Sequence, residues 1–241
     1  MIKDDFKNHI SKRFDTELES LCNQFIAMGG LVEQQVADAI RALTSGDVES
    51  AEAIINNDRE VNEYERLIDE KVELILAKRQ PTAADLRLTI MLSKATTDLE
   101  RIGDEAVKIA RAAVEVATSG HSPLGYSEVR SMSNQARLMI HDSLNAFARF
   151  DADQAYKVMR SDLEIDQQYQ TSLRSLITYI MEDNRYISQV ISLMWVLRSI
   201  ERVGDHARNV AEQVIFVISG EDVRHLDVEQ IPERIQLGSK E

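Results

Sequence analysis

Apolar side chains recur three and four positions apart along most of this chain of 241 residues. This spacing places them on one face of a helix, as in helices packed in a bundle. The pattern is interrupted at TSGD (44–47), KRQPTAAD (78–85), TSGHSPLGYS (118–127), before Asp151 and at MEDNR (181–185). It therefore predicts an all-α fold of six long helices. They lie near residues 16–43, 48–77, 88–113, 128–150, 155–179 and 193–217.

The second half of the chain repeats the first. Asp58 recurs as Asp162, 104 positions later, and Glu-Arg-Ile-Gly-Asp at 100–104 recurs as Glu-Arg-Val-Gly-Asp at 201–205, 101 positions later. A period near 100 residues indicates a duplicated domain rather than a solenoid of short repeats. We expect two tandem three-helix bundles related by approximate two-fold pseudo-symmetry, at 14–118 and 128–220. An N-terminal extension (1–13), a linker (119–127) and a loosely ordered tail (221–241) would complete the chain.

Composition restricts the possible environment and partners. With 28 Lys and Arg against 41 Asp and Glu, the formal net charge is −13, which disfavours binding to nucleic-acid phosphates. The single cysteine, Cys22, has no internal partner for a disulfide and fits a reducing compartment. The polar N-terminus does not resemble a secretory signal, and no run of about 18 apolar residues could span a membrane. We expect a soluble, cytoplasmic protein that binds no nucleic acid.

The two repeated motifs, Glu-Arg-Ile-Gly-Asp and Glu-Arg-Val-Gly-Asp, each contain a pair of acidic residues. Glu100 and Asp104, like Glu201 and Asp205, are four residues apart, so each pair lies on one helix face beside the apolar stripe. Two like charges at this spacing repel each other unless solvent or a cation neutralises them. Pairs of carboxylates one turn apart suit hard or borderline metal ions bound through oxygen.

Further acids lie on the preceding helix of each half. Asp58 and Asp162 occupy positions of the apolar stripe, and a buried lone carboxylate must be paired or coordinated. Asp166 follows Asp162 by one turn, whereas the matching residue in the first half is Asn62. We therefore predict that each half gathers acids from two neighbouring helices, where divalent or iron-type metal ions would bind.

Each of the two repeated motifs contains a glycine, Gly103 in the first and Gly204 in the second. A glycine inside a helix costs about 1 kcal/mol relative to alanine. The usual reason for keeping one is the close approach of another part of the chain or of a bound group.

Other interpretations of the acids remain open. Ion pairs of Asp58 with Arg101, or of Asp162 with Arg202, would explain them without a metal, and acid-rich helices are also common as solvated faces of a helical scaffold. A metal-dependent hydrolase or oxidase within a helical bundle is the alternative function. The chain has no Glu-x-x-His pair, no phosphate-binding glycine loop and no Cys/His zinc cluster. We therefore expect a protein that is not an enzyme.

The chain resembles the PhoU family of bacterial phosphate-signalling proteins. The stretches KRQPTAADLRL, DLERIGDEAVKIA, SIERVGDHARNVAE, MGGLVEQQVADAI and AFARFDADQA carry the resemblance, which covers about residues 14–220. It implies two three-helix bundles and no enzymatic activity. It also implies a cytoplasmic negative regulator of the phosphate-starvation response, which couples the phosphate-specific ABC transporter to a sensor histidine kinase and restrains phosphate uptake.

The resemblance further implies partners and a ligand set. The partners would be the sensor kinase, the ATPase subunit of the transporter and a second copy of the chain, with membrane association only through these partners. Some PhoU-like proteins bind metal clusters through (Glu/Asp)-x-x-x-Asp motifs. Those motifs fall here on Glu100 and Asp104, Glu201 and Asp205, and Asp162 and Asp166. Asn62 departs from the pattern, so the resemblance implies a weaker site in the first half.

Overall fold

Helices make up nearly all of the described chain, which comprises residues 12–118, 124–224 and 226–233 of a computed structural model. The α-helices in these ranges are α1 (Lys12–Ser45), α2 (Val48–Asn57), α3 (Arg59–Arg79), α4 (Ala83–Thr118), α5 (Tyr126–Arg149), α6 (Ala152–Glu182) and α7 (Ile187–Ser219). Two short 3-10 helices are Asn184–Tyr186 and Val228–Gln230. The predicted all-α class is confirmed. None of the described helices is long and apolar enough to cross a bilayer.

Equivalent aspartates begin equivalent helices in the two halves. Asp47 accepts a hydrogen bond from the backbone N–H of Ser50 at 3.0 Å, at the start of α2. Asp151 accepts one from the backbone N–H of Gln154 at 2.9 Å, at the start of α6. Each side chain satisfies a backbone donor that the first turn of a helix leaves without a partner. The sequence repeat therefore extends to the way the helices are capped.

The predicted helix over 48–77 is wrong in one respect, because it is interrupted at Asp58 and forms α2 and α3. Asp58 keeps helical backbone angles, with φ −57° and ψ −23°. Its carboxylate accepts hydrogen bonds from Gln35 Nε2 at 3.3 Å and from Asn62 Nδ2 at 3.5 Å. The break is therefore a local interruption rather than a turn, and the second half has no counterpart because α6 runs unbroken through Asp162.

Two three-helix bundles share one hydrophobic core. Helices α1, α2–α3 and α4 form the first bundle, and α5, α6 and α7 form the second. The bundles meet where α4 packs along α7 and α1 packs against α5. The rings of Phe25 in α1 and Phe147 in α5 are both buried and meet edge to face across this junction, with centroids 4.9 Å apart. Burial of both helix sets in one core holds the two bundles in a fixed relation.

The structure describes only part of the predicted N-terminal extension, linker and tail. Most of the predicted extension (1–13) and linker (119–127) falls on residues 1–11 and 119–123, outside the described ranges. In the tail after residue 220, which the sequence predicts to be loosely ordered, Val223 and Ile231 are 1% and 0% exposed. These two side chains belong to the main core.

Candidate functional site

In the second half, α6 and α7 bring four of the predicted acids into one electrostatic cluster, Asp162, Asp166, Glu201 and Asp205. Asp162 and Glu201 are buried, at 3% and 7% exposure, Asp205 is half-buried and Asp166 is exposed. The cluster therefore extends from the interface between the two helices to the surface.

Burial and mutual repulsion raise the pKa values of acids in this cluster. Burial, followed by the charges of Asp205, Asp166 and Asp162, raises the pKa of Glu201 from 4.5 to about 7. Burial and the charges of Asp162 and Asp166 also raise the pKa of Asp205. Burial is the first cause of both shifts and the neighbouring carboxylates add to it, so the fold disfavours the ionised form of these two acids.

Among the described residues, two buried carboxylate oxygens of the acidic cluster have no hydrogen-bond partner. Asp162 Oδ2 accepts a hydrogen bond from Arg208 Nη1 at 2.8 Å, but its Oδ1 has none. Glu201 is bonded to Arg198 through Oε1, and its Oε2 is likewise buried and without a partner. Burying such an oxygen without a partner is costly. Carboxylate oxygens of this kind are suitable ligands for a cation.

The first half forms a looser version of the acidic cluster. Burial raises the pKa of Glu100, with contributions from the charges of Asp104, Glu65 and Asp58. Burial and the charges of Asp69 and Asp104 raise the pKa of Glu65 as well. Glu100, Asp104 and Asp58 are all half-buried rather than fully buried.

Glu65 was missed as a candidate ligand, although a signal for it is present in the sequence. It lies one turn after Val61 on the buried stripe of α3, where an apolar residue is expected. The equivalent position in the second half, 104 residues later, holds Tyr169. The two acidic clusters therefore differ in composition, beyond the exchange of Asn62 for Asp166.

Neither of the ion pairs that the sequence leaves open as an alternative, Asp58 with Arg101 and Asp162 with Arg202, is present among the described residues. Arg101 lies 3.7 Å from Glu100, and Arg202 lies 3.4 Å from Glu105, so neither arginine pairs with Asp58 or Asp162. These two arginines are more than 45% exposed, and each reaches a carboxylate of α4 instead.

Arg208 is a second cation in contact with the second-half cluster, besides Arg198, and it bonds Asp162. Its guanidinium also bonds Glu212 at 3.1 Å, and Glu212 is itself buried at 6% exposure. Arg208 therefore links Asp162 on α6 to Glu212 on α7. The repeat does not reveal this role, because the equivalent residue in the first half is Val107.

The glycines of the two repeated motifs contact equivalent side chains on the neighbouring helix. A methyl group added at Gly103 would lie 3.3 Å from Val61 Cγ1, and one added at Gly204 would lie 3.0 Å from Ile165 Cδ1. Val61 and Ile165 are themselves related by the repeat, 104 residues apart. Each glycine thus allows the neighbouring helix to approach closely, and this contact places the acids of the two helices side by side.

His206, which follows Asp205 of the second-half cluster, contacts a residue of the first bundle. Its Nδ1 lies 2.9 Å from Asp98 Oδ1 on α4, and Asn209 Nδ2 donates to the same oxygen at 2.9 Å. These bonds join α4 and α7 within one turn of Asp205.

The donor chemistry fits a cation, although the carboxylates are not drawn together. Within the described residues, no group of three or more His, Cys, Asp or Glu side chains is spaced as metal ligands. The unpartnered oxygens of Asp162 and Glu201 and the raised pKa of Glu201 are nevertheless what an oxygen-ligated cation would relieve. The predicted ligands Glu100, Asp104, Glu201, Asp205, Asp162, Asp166 and Asp58 remain a prediction.

Comparison with known proteins matches the chain over most of its length. The model of the PhoU domain matches residues 25–113 and 129–214. The chain is 51% identical over 234 residues to the phosphate-specific transport system accessory protein PhoU homolog of Pseudomonas putida, covering 97% of this chain and 91% of that protein. It is 45% identical over 223 residues to the phosphate-specific transport system accessory protein PhoU of Escherichia coli, covering 92% of each.

Solved structures show the same architecture. A crystal structure of PhoU from Pseudomonas aeruginosa superposes with a TM-score of 0.83 at 51% identity, covering 86% of this chain and all of that chain, 100%. A crystal structure of the phosphate transport system regulatory protein PhoU from Streptococcus pneumoniae superposes with a TM-score of 0.80 at 30% identity, covering 87% of this chain and 99% of that one. The arrangement of two bundles is therefore shared with both.

Proposed function

The chain belongs to the PhoU family, and on this premise we propose that it is a cytoplasmic negative regulator of the phosphate-starvation response. The match to phosphate-specific transport system accessory proteins over nearly the whole chain carries this proposal. The name of the Streptococcus pneumoniae relative, a phosphate transport system regulatory protein, supports a regulatory role. When phosphate is plentiful, the protein holds the response off and restrains phosphate uptake.

The proposed mechanism is a set of protein contacts and contains no reaction step. The protein contacts the ATPase subunit of the phosphate-specific transporter and the sensor histidine kinase, and it reaches the membrane only through them. It acts as a homodimer. The shared core supports this role, because α4 packed along α7 makes the two bundles one rigid body on which two partners can be held in a fixed relation.

A cation between α6 and α7 is the proposed cofactor. Asp162, Glu201, Asp205 and Asp166 would hold it in the second half, while Glu100, Asp104 and Asp58 would hold a second cation more weakly in the first half. A divalent or iron-type ion would neutralise the excess negative charge and supply ligand bonds between the helices. The unpartnered oxygens of Asp162 and Glu201 support this assignment.

Deleting the gene tests the regulatory role. We expect a strain without it to express an alkaline phosphatase reporter strongly in phosphate-rich medium, and the intact gene to restore low expression. Complementation with the double variant Glu201→Ala, Asp205→Ala tests whether the second-half cluster matters, with Glu73→Ala on the exposed face of α3 as the matched control. A reporter that stays low in the deletion strain would contradict the proposal and favour the metal-dependent enzyme.

A further inference from the structure

The outward face of α7 presents large apolar side chains to solvent. Ile187, Ile191 and Trp195 lie one turn apart and are 40%, 47% and 70% exposed. Trp195 is the single tryptophan of the chain. Side chains of this size, grouped on one exposed face, are characteristic of a binding surface, whereas scattered single residues are not.

The internal repeat singles out Trp195 among these three side chains. The equivalent positions, 101 residues earlier in α4, hold Leu86, Ile90 and Lys94. The first half thus keeps an aliphatic residue at the first two positions and has a lysine at the third, where Lys94 is exposed as Trp195 is. Because the same place in the same fold carries a lysine in one half and a tryptophan in the other, folding alone does not explain Trp195.

Trp195 lines a groove between α4 and α7 that carries positive charge. The groove encloses about 370 Å³, and its lining includes Lys108, Arg198 and Arg202. The one carboxylate in the lining, Glu105, is buried and bonds Lys108 at 2.9 Å and Arg202 at 3.4 Å. Lys108 and Arg202 share the single charge of Glu105, and Arg198 is paired with Glu201 outside the lining, so one net positive charge remains at the groove in a chain whose net charge is −13.

Arg198 is held in place from two directions. It bonds Glu201 on its own helix and lies over the ring of Tyr169 on α6, 5.9 Å from the ring centroid. A fixed guanidinium beside an exposed indole is a favourable combination for binding, because tryptophan and arginine dominate the energetics of protein interfaces and a fixed side chain loses little entropy on binding.

We propose that this groove, the α4–α7 groove, binds an acidic, amphipathic segment of a partner protein. An apolar side chain of the segment packs on Trp195 and Ile191, and its carboxylates face Lys108 and Arg202. The charge of the groove selects an acidic partner, and the exposed indole supplies the apolar contact. The proposal rests on the proposed function, since a regulator of this kind must bind proteins of the phosphate system.

Fluorine NMR can test the α4–α7 groove directly, since fluorotryptophan incorporated into this chain labels Trp195 alone. The purified ATPase subunit of the phosphate-specific transporter is titrated first, and the cytoplasmic part of the sensor kinase second. We expect the fluorine resonance to shift with at least one of them, and 0.5 M salt to weaken that complex. Trp195→Lys, which installs the residue of the first half, should weaken it about 30-fold, the loss typical of an interface hot spot.

The matched control is Leu138→Lys, which changes another exposed apolar residue, 51% exposed, on α5. This variant should bind as the wild type does. If Trp195→Lys binds the partner as tightly as the wild type, the groove is not the interface and the proposal is overturned while the proposed function stands. If the wild type binds neither protein, both are overturned. If Trp195→Lys leaves partner binding intact but converts a dimer to a monomer in sedimentation, the groove joins two copies of the chain, which also overturns the proposal.

Discussion

Replacing Glu201 by glutamine should stabilise the metal-free protein at alkaline pH. Burial and three neighbouring acids raise the pKa of Glu201 from 4.5 to about 7. A tenfold change in an ionisation constant corresponds to about 1.4 kcal/mol, so ionised Glu201 destabilises the fold by up to about 3 kcal/mol. Because Asp166 is exposed and water reaches that side of the cluster, we expect Glu201→Gln to recover about 1–3 kcal/mol.

The sign of the pH dependence follows from the direction of the pKa shift. The pKa of Glu201 is higher in the folded state than in the unfolded state, so between about pH 4.5 and pH 7 the folded state binds more protons. The stability of the wild type should fall across this window relative to that of Glu201→Gln. The difference should be absent below pH 4 and constant above pH 8.

Urea denaturation in the presence of a chelator, at several pH values, measures this difference. The repeat offers a matched control in Glu100→Gln, which should act in the same direction but more weakly, because Glu100 is less buried than Glu201. Added divalent cation should raise the melting temperature of the wild type but not that of Glu201→Gln. A loss of stability in Glu201→Gln at pH 8 would show that the ion pair of Glu201 with Arg198 outweighs the cost of burial and repulsion, and would refute the reasoning.

Three further predictions concern Arg208, Gly204 and the cap at the start of α6, and each is tested by urea denaturation. Arg208→Ala should lower the free energy of unfolding by about 3–5 kcal/mol, because it leaves the buried carboxylates of Asp162 and Glu212 without their cation. A loss of stability below about 1 kcal/mol would contradict this prediction. Gly204→Ala should lower the free energy of unfolding by about 1 kcal/mol, since overpacking outweighs the gain in helix propensity. Ile165→Val removes the atom 3.0 Å from the new methyl group, so the double variant should lose less stability than the sum of the two single variants. Strictly additive effects of the two substitutions would contradict this contact. Asp151→Ala should cost about 1 kcal/mol through the lost helix cap, and Asp153→Ala, in the same turn, should cost less.

Features that depend on residues close in sequence could be predicted from the chain alone. The apolar period and the turn residues located the helices, and the repeat indicated two related bundles. The placement of Asp162, Glu201 and Asp205 along the contact between two neighbouring helices was also predictable, because each acid lies on or beside the buried face of its own helix. Neighbouring helices in a bundle bring those faces together.

Features that depend on the register between helices could not be predicted. Arg208 reaches Asp162 only because α6 and α7 are placed at a particular height relative to each other, and the first half has Val107 instead. The same register explains why the repeated glycines face Val61 and Ile165, which the spacing within one helix does not reveal. The interruption at Asp58 was also not predicted; there the carboxylate accepts hydrogen bonds from Gln35 on α1 and from Asn62.

A comparison of single and double deletions tests the central claim most directly. The reporter of the phosphate-starvation response is measured in phosphate-rich medium in strains lacking this gene, the sensor kinase gene or both. If the protein acts by holding the kinase in its inhibitory state, expression is high in the strain lacking this gene alone and low in the double deletion. High expression in the double deletion would show that the protein does not act through the kinase and would contradict the account.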